Sequence, residues 1–131
     1  GAKLGKVTLL GGYEVLGSDD GKAAFATPFA TLHKFQGFAD KFLGTGSSAF
    51  VNGVEDMYIT AKTKVGGVAL MATYHDLTSN EGSIDYGTEL DLVAKYSINK
   101  STGLLVKLAS YSADDMSTDT TKLWIQLATK F

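Results

Sequence analysis

Four lysines, Lys62, Lys95, Lys107 and Lys122, stand at positions that alternating segments place on a single face, and Glu89 and Asp91 share it. Ammonium groups gathered on one wall set up a field that attracts anions, and interspersed carboxylates moderate that field. This is the chemistry of passage or binding by charge, not of bond making. The sequence holds no nucleophile elbow, no phosphate-cradling glycine loop and no zinc spacing. His33 and His75 have no third ligand at recognisable spacing. His75 and its neighbour Asp76 point to opposite sides of any strand, which argues against a shared metal. Asp114, Asp115 and Asp119 lack the ordered spacing of a calcium loop and read as solvated loop acids. Neither an enzyme nor a cofactor is expected. A second group, His33, Lys34, Asp40 and Lys41, lies among phenylalanines. It has two readings: contact with a sugar chain by stacking and hydrogen bonding, or packing of the phenylalanines against a wall.

Strands must position these residues. In the segment 121–131, Leu123, Ile125, Leu127, Thr129 and Phe131 alternate with Lys122, Trp124, Gln126, Ala128 and Lys130. Period-2 alternation of this length makes a strand with one apolar and one polar face. Similar alternation recurs over roughly residues 6–16, 55–65, 68–76, 86–98 and 104–112. Lys6 and Lys130 join the lysine face, as do Glu14 and Asp56. The apolar face carries Leu9, Ile59, Leu70, Leu92, Val106 and Leu127. Tyr13, Tyr74, Tyr86, Tyr96 and Phe131 fall on that face near strand ends, where interfacial girdles of membrane barrels lie.

The connections alternate long, short, long, short, long, with Gly66-Gly67 and 99–103 as the short ones. Outer-membrane barrels have short periplasmic turns and longer external loops. Residues 18–53 form the longest connection, with an extended stretch ending near Pro28. Phe35, Phe38 and Phe42 recur at helical spacing there, so a short helix is expected over about residues 31–43, weakened by Gly37.

Composition narrows the class. The 131 residues carry a formal charge of −2 and a pI near 5.6, which gives no whole-chain attraction to nucleic acid. No cysteine is present, so a disulfide framework and thiolate metal sites are excluded. No apolar run approaches the roughly 18 residues of a membrane helix, which leaves strand-built membrane barrels untouched. Fifteen glycines and one proline suit a β-rich chain with tight turns. The expectation is a single all-β domain over residues 1–131. It would be an antiparallel up-and-down meander of about six to eight strands, of the outer-membrane barrel type. Alternation begins within the first few residues, so a carboxy-terminal portion of something longer is expected.

The segments 25–43, 52–58, 74–76, 85–91 and 121–124 resemble the carboxy-terminal region of bacterial outer-membrane porins of the alginate-export family. The resemblance covers the chain from Lys6 onward. Its most specific part is the block His33-Lys34-Phe35, Gly37, Ala39-Asp40-Lys41-Phe42. It implies an outer-membrane β-barrel surrounded by lipid and conducting anionic solutes, with alginate as the type substrate. The lysine face then becomes the lumen, complementary to uronate carboxylates, and residues 22–52 become an external or pore-constricting loop. Family barrels have many more strands. The basic residues here are lysines, whereas arginine is the usual bidentate partner of carboxylates, which widens the expected solute to anionic or polar species and oligosaccharides.

Six strands leave two open edges that invite self-association. Three outcomes follow: part of a longer barrel, a self-paired oligomer, or a small closed barrel using residues 23–31 as an extra strand. The alternative class is a soluble β-barrel or sandwich binding a small apolar ligand within its apolar face. A structural or adhesive β-domain ranks behind both.

Overall fold

The computed structural model describes residues 1–25, 36–42 and 50–130. Seven strands form one sheet: β1 (Ala2–Leu4), β2 (Val7–Leu16), β5 (Val54–Val65), β6 (Val68–Thr78), β7 (Asp85–Ser97), β8 (Thr102–Ala113) and β9 (Thr120–Thr129). Each is antiparallel to the next, and that is also their order in the sheet. The short strands β3 (Ser18–Asp19) and β4 (Ala23–Ala24) form a separate two-stranded ribbon.

The protein is therefore all-β, and the six alternating segments are the six long strands. β1 is an addition, folded back on β2 through a turn at Gly5 so that Ala2 faces Leu9. Among the described residues the sheet is open, with β1 and β9 as its edges. The extra strand expected over 23–31 is seen only as Ala23–Ala24, which pairs with Ser18–Asp19 and not with an edge; residues 26–31 lie outside the described residues.

The expected helix is not found in its described part. Residues 36–42 contain no helical turn, and Gln36, Gly37 and Asp40 have φ of +50°, +84° and +58°. Positive φ at three of seven residues is incompatible with a right-handed helix, so the phenylalanine spacing has another cause. Residues 31–35 and 43 lie outside the described residues.

Turn chemistry sets the register. Gly66 and Gly67 both have positive φ, the requirement of a two-residue type I′ hairpin turn. That turn brings Val65 opposite Val68 and carries Lys62 opposite Met71 and Tyr58 opposite His75. Propagated across the sheet, one row runs Tyr58, His75, Glu89, Tyr111 and Thr120. The next runs Thr60, Thr73, Asp91, Ala109 and Lys122, and the next Lys62, Met71, Val93, Lys107 and Trp124. All three rows lie on the polar face. Acids crowd toward the end with long loops, and the lysines other than Lys122 lie toward the end with short turns.

Burial is inverted relative to hydropathy. Asp56, Glu89 and Asp91 are 1%, 0% and 1% exposed, while Leu123, Ile125 and Leu127 are 62%, 69% and 64% exposed. The cause is residues 36–42, which lie as a strap over the loop-end half of the polar face. The core sits beneath the strap: Leu16, Ala39, Phe42, Val54, Leu77, Tyr86, Ala109 and Tyr111. Phe42 is the central ring, 5.1 Å from Phe50, 5.4 Å from Tyr86 and 6.1 Å from Tyr111. Burying such a side chain stabilises by about 1.5–3 kcal/mol, and well-placed ring pairs add roughly 0.5–1.5 kcal/mol each.

Tyr86 corrects the expected aromatic girdle. Parity along β7 places it on the apolar face, yet it is buried in this core and its hydroxyl donates to the Gly53 carbonyl at 3.0 Å. A β-bulge is the reason. Leu77 pairs with Gly87 and Thr78 with Asp85, so Tyr86 has no partner across the ladder and turns inward. Gly87 permits this, with φ +109° and a backbone so close to β8 that a Cβ would lie 2.0 Å from the Ser112 carbonyl oxygen. Tyr13 and Tyr74 remain exposed on the apolar side, as does Tyr96, while Phe131 lies outside the described residues.

Candidate functional site

The polar face and its strap form the site. Backbone N–H groups of the strap are held by wall carboxylates: Phe38 donates to Asp91 Oδ2 at 2.9 Å, and Ala39 donates to Glu89 Oε1 at 2.6 Å. Gln36 Nε2 donates to Glu14 Oε2 at 3.0 Å. Burial, with Glu89 beside it, pushes the Asp91 carboxyl up to about 8, so at neutral pH it accepts largely as the acid; such a bond contributes about 0.5–1.5 kcal/mol when the acceptor is neutral and about 1.5–3 kcal/mol when it is ionised. Two acids of β7 and one of β2 thus fasten one short segment. Gly37 allows the approach, because a Cβ there would lie 2.5 Å from the Glu89 carboxylate.

Lysines complete the attachment from the far side. Lys122 Nζ lies 3.3 Å from Asp40 Oδ2, and Lys41 Nζ donates to Thr120 Oγ1 at 2.9 Å. Lys107 Nζ sits 4.9 Å from the Phe38 ring centroid and Lys41 Nζ 5.4 Å from that of Tyr111, both within cation–π range.

Beside the strap, three buried side chains interlock across β5, β6 and β7. Both oxygens of Asp56 lie 3.0 Å from His75 Nδ1, and His75 Nε2 lies 3.6 Å from Asp91 Oδ2. The Tyr58 ring covers the imidazole at 5.7 Å, and the Thr60 and Thr73 hydroxyls hydrogen-bond at 2.9 Å. These residues, with Glu14, Gln36, Gly37 and Phe38, line a cavity of about 570 Å³.

The residues singled out in the sequence are therefore dispersed along one face and used differently. Lys62 and Lys95 are exposed on the polar face, below the strap. Lys107 and Lys122 are half-buried against the strap. Glu89 and Asp91 are buried and hold strap amides, so they meet the strap before any solute. Asp40 and Lys41 are turned onto the wall, and Phe38 and Phe42 pack there. His33 and Lys34 lie outside the described residues.

Sequence reasoning missed the Asp56–His75–Asp91 interlock. The signal existed in the Gly66-Gly67 turn: once it sets Tyr58 opposite His75, Asp56 becomes a diagonal same-face neighbour of the imidazole. No protein family model, curated protein or solved structure matches the chain.

Proposed function

We propose that this chain is a segment of an outer-membrane β-barrel that conducts anionic or polar solutes, with residues 36–42 folded onto its lumenal wall as a constriction. One observation carries the reading: the apolar face is open while the loop-end half of the charged face is covered. A water-soluble sheet buries the former and exposes the latter, because leaving side chains such as Ile125 in water forfeits about 1.5–3 kcal/mol each. In lipid the cost is reversed. Outer-membrane strands alternate apolar-out and polar-in, and their lumens are narrowed by inward-folded loops. The short connections at Gly5, Gly66-Gly67 and residues 98–101 share one end of the sheet, the longer ones the other, as periplasmic turns and external loops do. Lys62 and Lys95 then supply the attraction for anions, with uronate oligosaccharides as the suggested substrate class from the resemblance noted above.

A second reading has its own support. Leu70, Leu92, Val106, Leu108 and Leu123 line an apolar hollow of about 650 Å³ on the open face, a volume suited to a small apolar ligand of a soluble β-protein. Fractionation of a Gram-negative host expressing the protein separates the two. Recovery in the outer-membrane fraction, resistant to alkaline extraction and released by detergent, is expected; recovery in the soluble fraction favours the ligand-binding reading and sinks the porin one.

A further inference from the structure

Charge is sorted along the strands over the whole sheet. No aspartate or glutamate of a strand or connection lies on the short-turn side of the row Thr60, Thr73, Asp91, Ala109 and Lys122, and Asp40 of the strap sits at that row on Lys122. Lys62, Lys95 and Lys107 of the basic half belong to the solute-facing wall, but four further lysines lie at the turns themselves. Lys3 and Lys6 flank Gly5, Lys64 precedes Gly66-Gly67, and Lys100 lies in the connection 98–101. All four are exposed, and none forms an ion pair among the described residues. Successive hairpins are two strand spacings apart, so ammonium groups recur about every 10 Å along this rim.

The backbone holds them in place. Thr63 Oγ1 donates to the Lys6 carbonyl at 3.1 Å, and Asn99 Oδ1 accepts from the Ser101 and Thr102 amides at 2.8 Å each, closing the turn that carries Lys100. A second observation names the kind of partner. Leu4, Val65, Tyr96 and Ile98 are exposed at the same rim. A soluble polyanion would satisfy the lysines and leave those four side chains in water. A phospholipid satisfies both, with its phosphate on the ammonium groups and its acyl chains on the apolar surface. Tyr96 suits the same boundary, because its ring is apolar and its hydroxyl polar.

We propose that the short-turn rim is a docking surface for anionic phospholipid headgroups, held by Lys3, Lys6, Lys64 and Lys100. The inference rests on the lipid-embedded reading above and adds to it the kind of lipid and the leaflet. That leaflet is the one at the short turns, since the acids at the other end repel the same headgroups.

The test uses single-cysteine proteins, Ile98→Cys at the rim and Met57→Cys at the loop end, each carrying a fluorophore and reconstituted into phosphatidylcholine vesicles. Part of the lipid is replaced by brominated phosphatidylglycerol or, separately, by brominated phosphatidylcholine, and bromine quenches at contact. At position 98 phosphatidylglycerol is expected to compete roughly tenfold better than phosphatidylcholine, with no preference at position 57. Each lysine near an anionic surface contributes about fivefold, so the joint variant Lys3→Gln, Lys6→Gln, Lys64→Gln and Lys100→Gln is expected to lose the preference. High salt is expected to weaken it in the parent. Equal quenching by the two lipids at position 98 overturns the docking surface and leaves the embedded sheet standing. A preference kept by the joint variant, or equally strong at position 57, overturns it too. No quenching by either lipid at either position refutes the embedded sheet, and the docking surface with it.

Discussion

Replacing Gly37 by alanine should detach the strap while leaving the sheet intact. Two costs add. The residue sits at φ +84°, where a Cβ costs about 1–2 kcal/mol. The new methyl would also lie 2.5 Å from the Glu89 carboxylate, which must move and give up its 2.6 Å bond from the Ala39 amide. Loss of a hydrogen bond to a charged acceptor costs about 1.5–3 kcal/mol. The strap-opening free energy should fall by about 3 kcal/mol, or roughly a hundredfold in the opening equilibrium. Hydrogen exchange reads this directly, because the Phe38 and Ala39 amides are bonded only while the strap is seated. Both should exchange about a hundredfold faster, with β6 and β7 ladder amides unchanged. Gly66→Ala is the matched control: its φ is +55° and no atom lies within 4 Å of the added Cβ, so it carries the backbone cost alone. Retained protection at Phe38 and Ala39, or equal acceleration across the whole sheet, would refute the strap as a separately seated segment.

Replacing Lys62 and Lys95 by glutamate should reverse anion preference in a reconstituted pore, measured as the reversal potential in a salt gradient; unchanged selectivity would count against a lysine-set field. Lys122→Glu should act differently, since it places a carboxylate opposite Asp40 and repels the strap, raising conductance before it alters selectivity. Phe42→Ala removes the ring at the centre of the core and should cost about 3–5 kcal/mol, read from a denaturant midpoint. Asp56→Ala leaves His75 Nδ1 buried without its acceptor and should cost about 1–3 kcal/mol, with Asp56→Asn milder; equal losses would show that the carboxylate's hydrogen bond is not what matters.

Strands and faces were legible because they rest on period-2 alternation, which is local. The six long strands lie within about two residues of where the pattern places them, and Lys62, Lys95, Lys107 and Lys122 share a face as parity requires. What failed depends on contacts distant in sequence. Phe38 and Phe42 sit at helical spacing, yet they are spaced to reach Lys107 and the Tyr86–Tyr111 pair across the sheet. Tyr86 obeyed parity in the sequence and lost it to a bulge whose origin is the close approach of Gly87 to β8. β1 was invisible because three residues are too few to alternate. The acid–histidine interlock needed register, which only the Gly66-Gly67 turn could supply.

The inverted sheet is tested most directly by single-cysteine labelling along β9, which the absence of native cysteine makes clean. A fluorophore placed in turn at positions 122–127 in protein reconstituted into vesicles is exposed to a quencher attached to the lipid chains. Quenching at 123, 125 and 127 with sparing of 122, 124 and 126 is the result expected for a sheet whose apolar face meets lipid and whose charged face meets water. Uniform quenching, none at all, or the opposite alternation would contradict it.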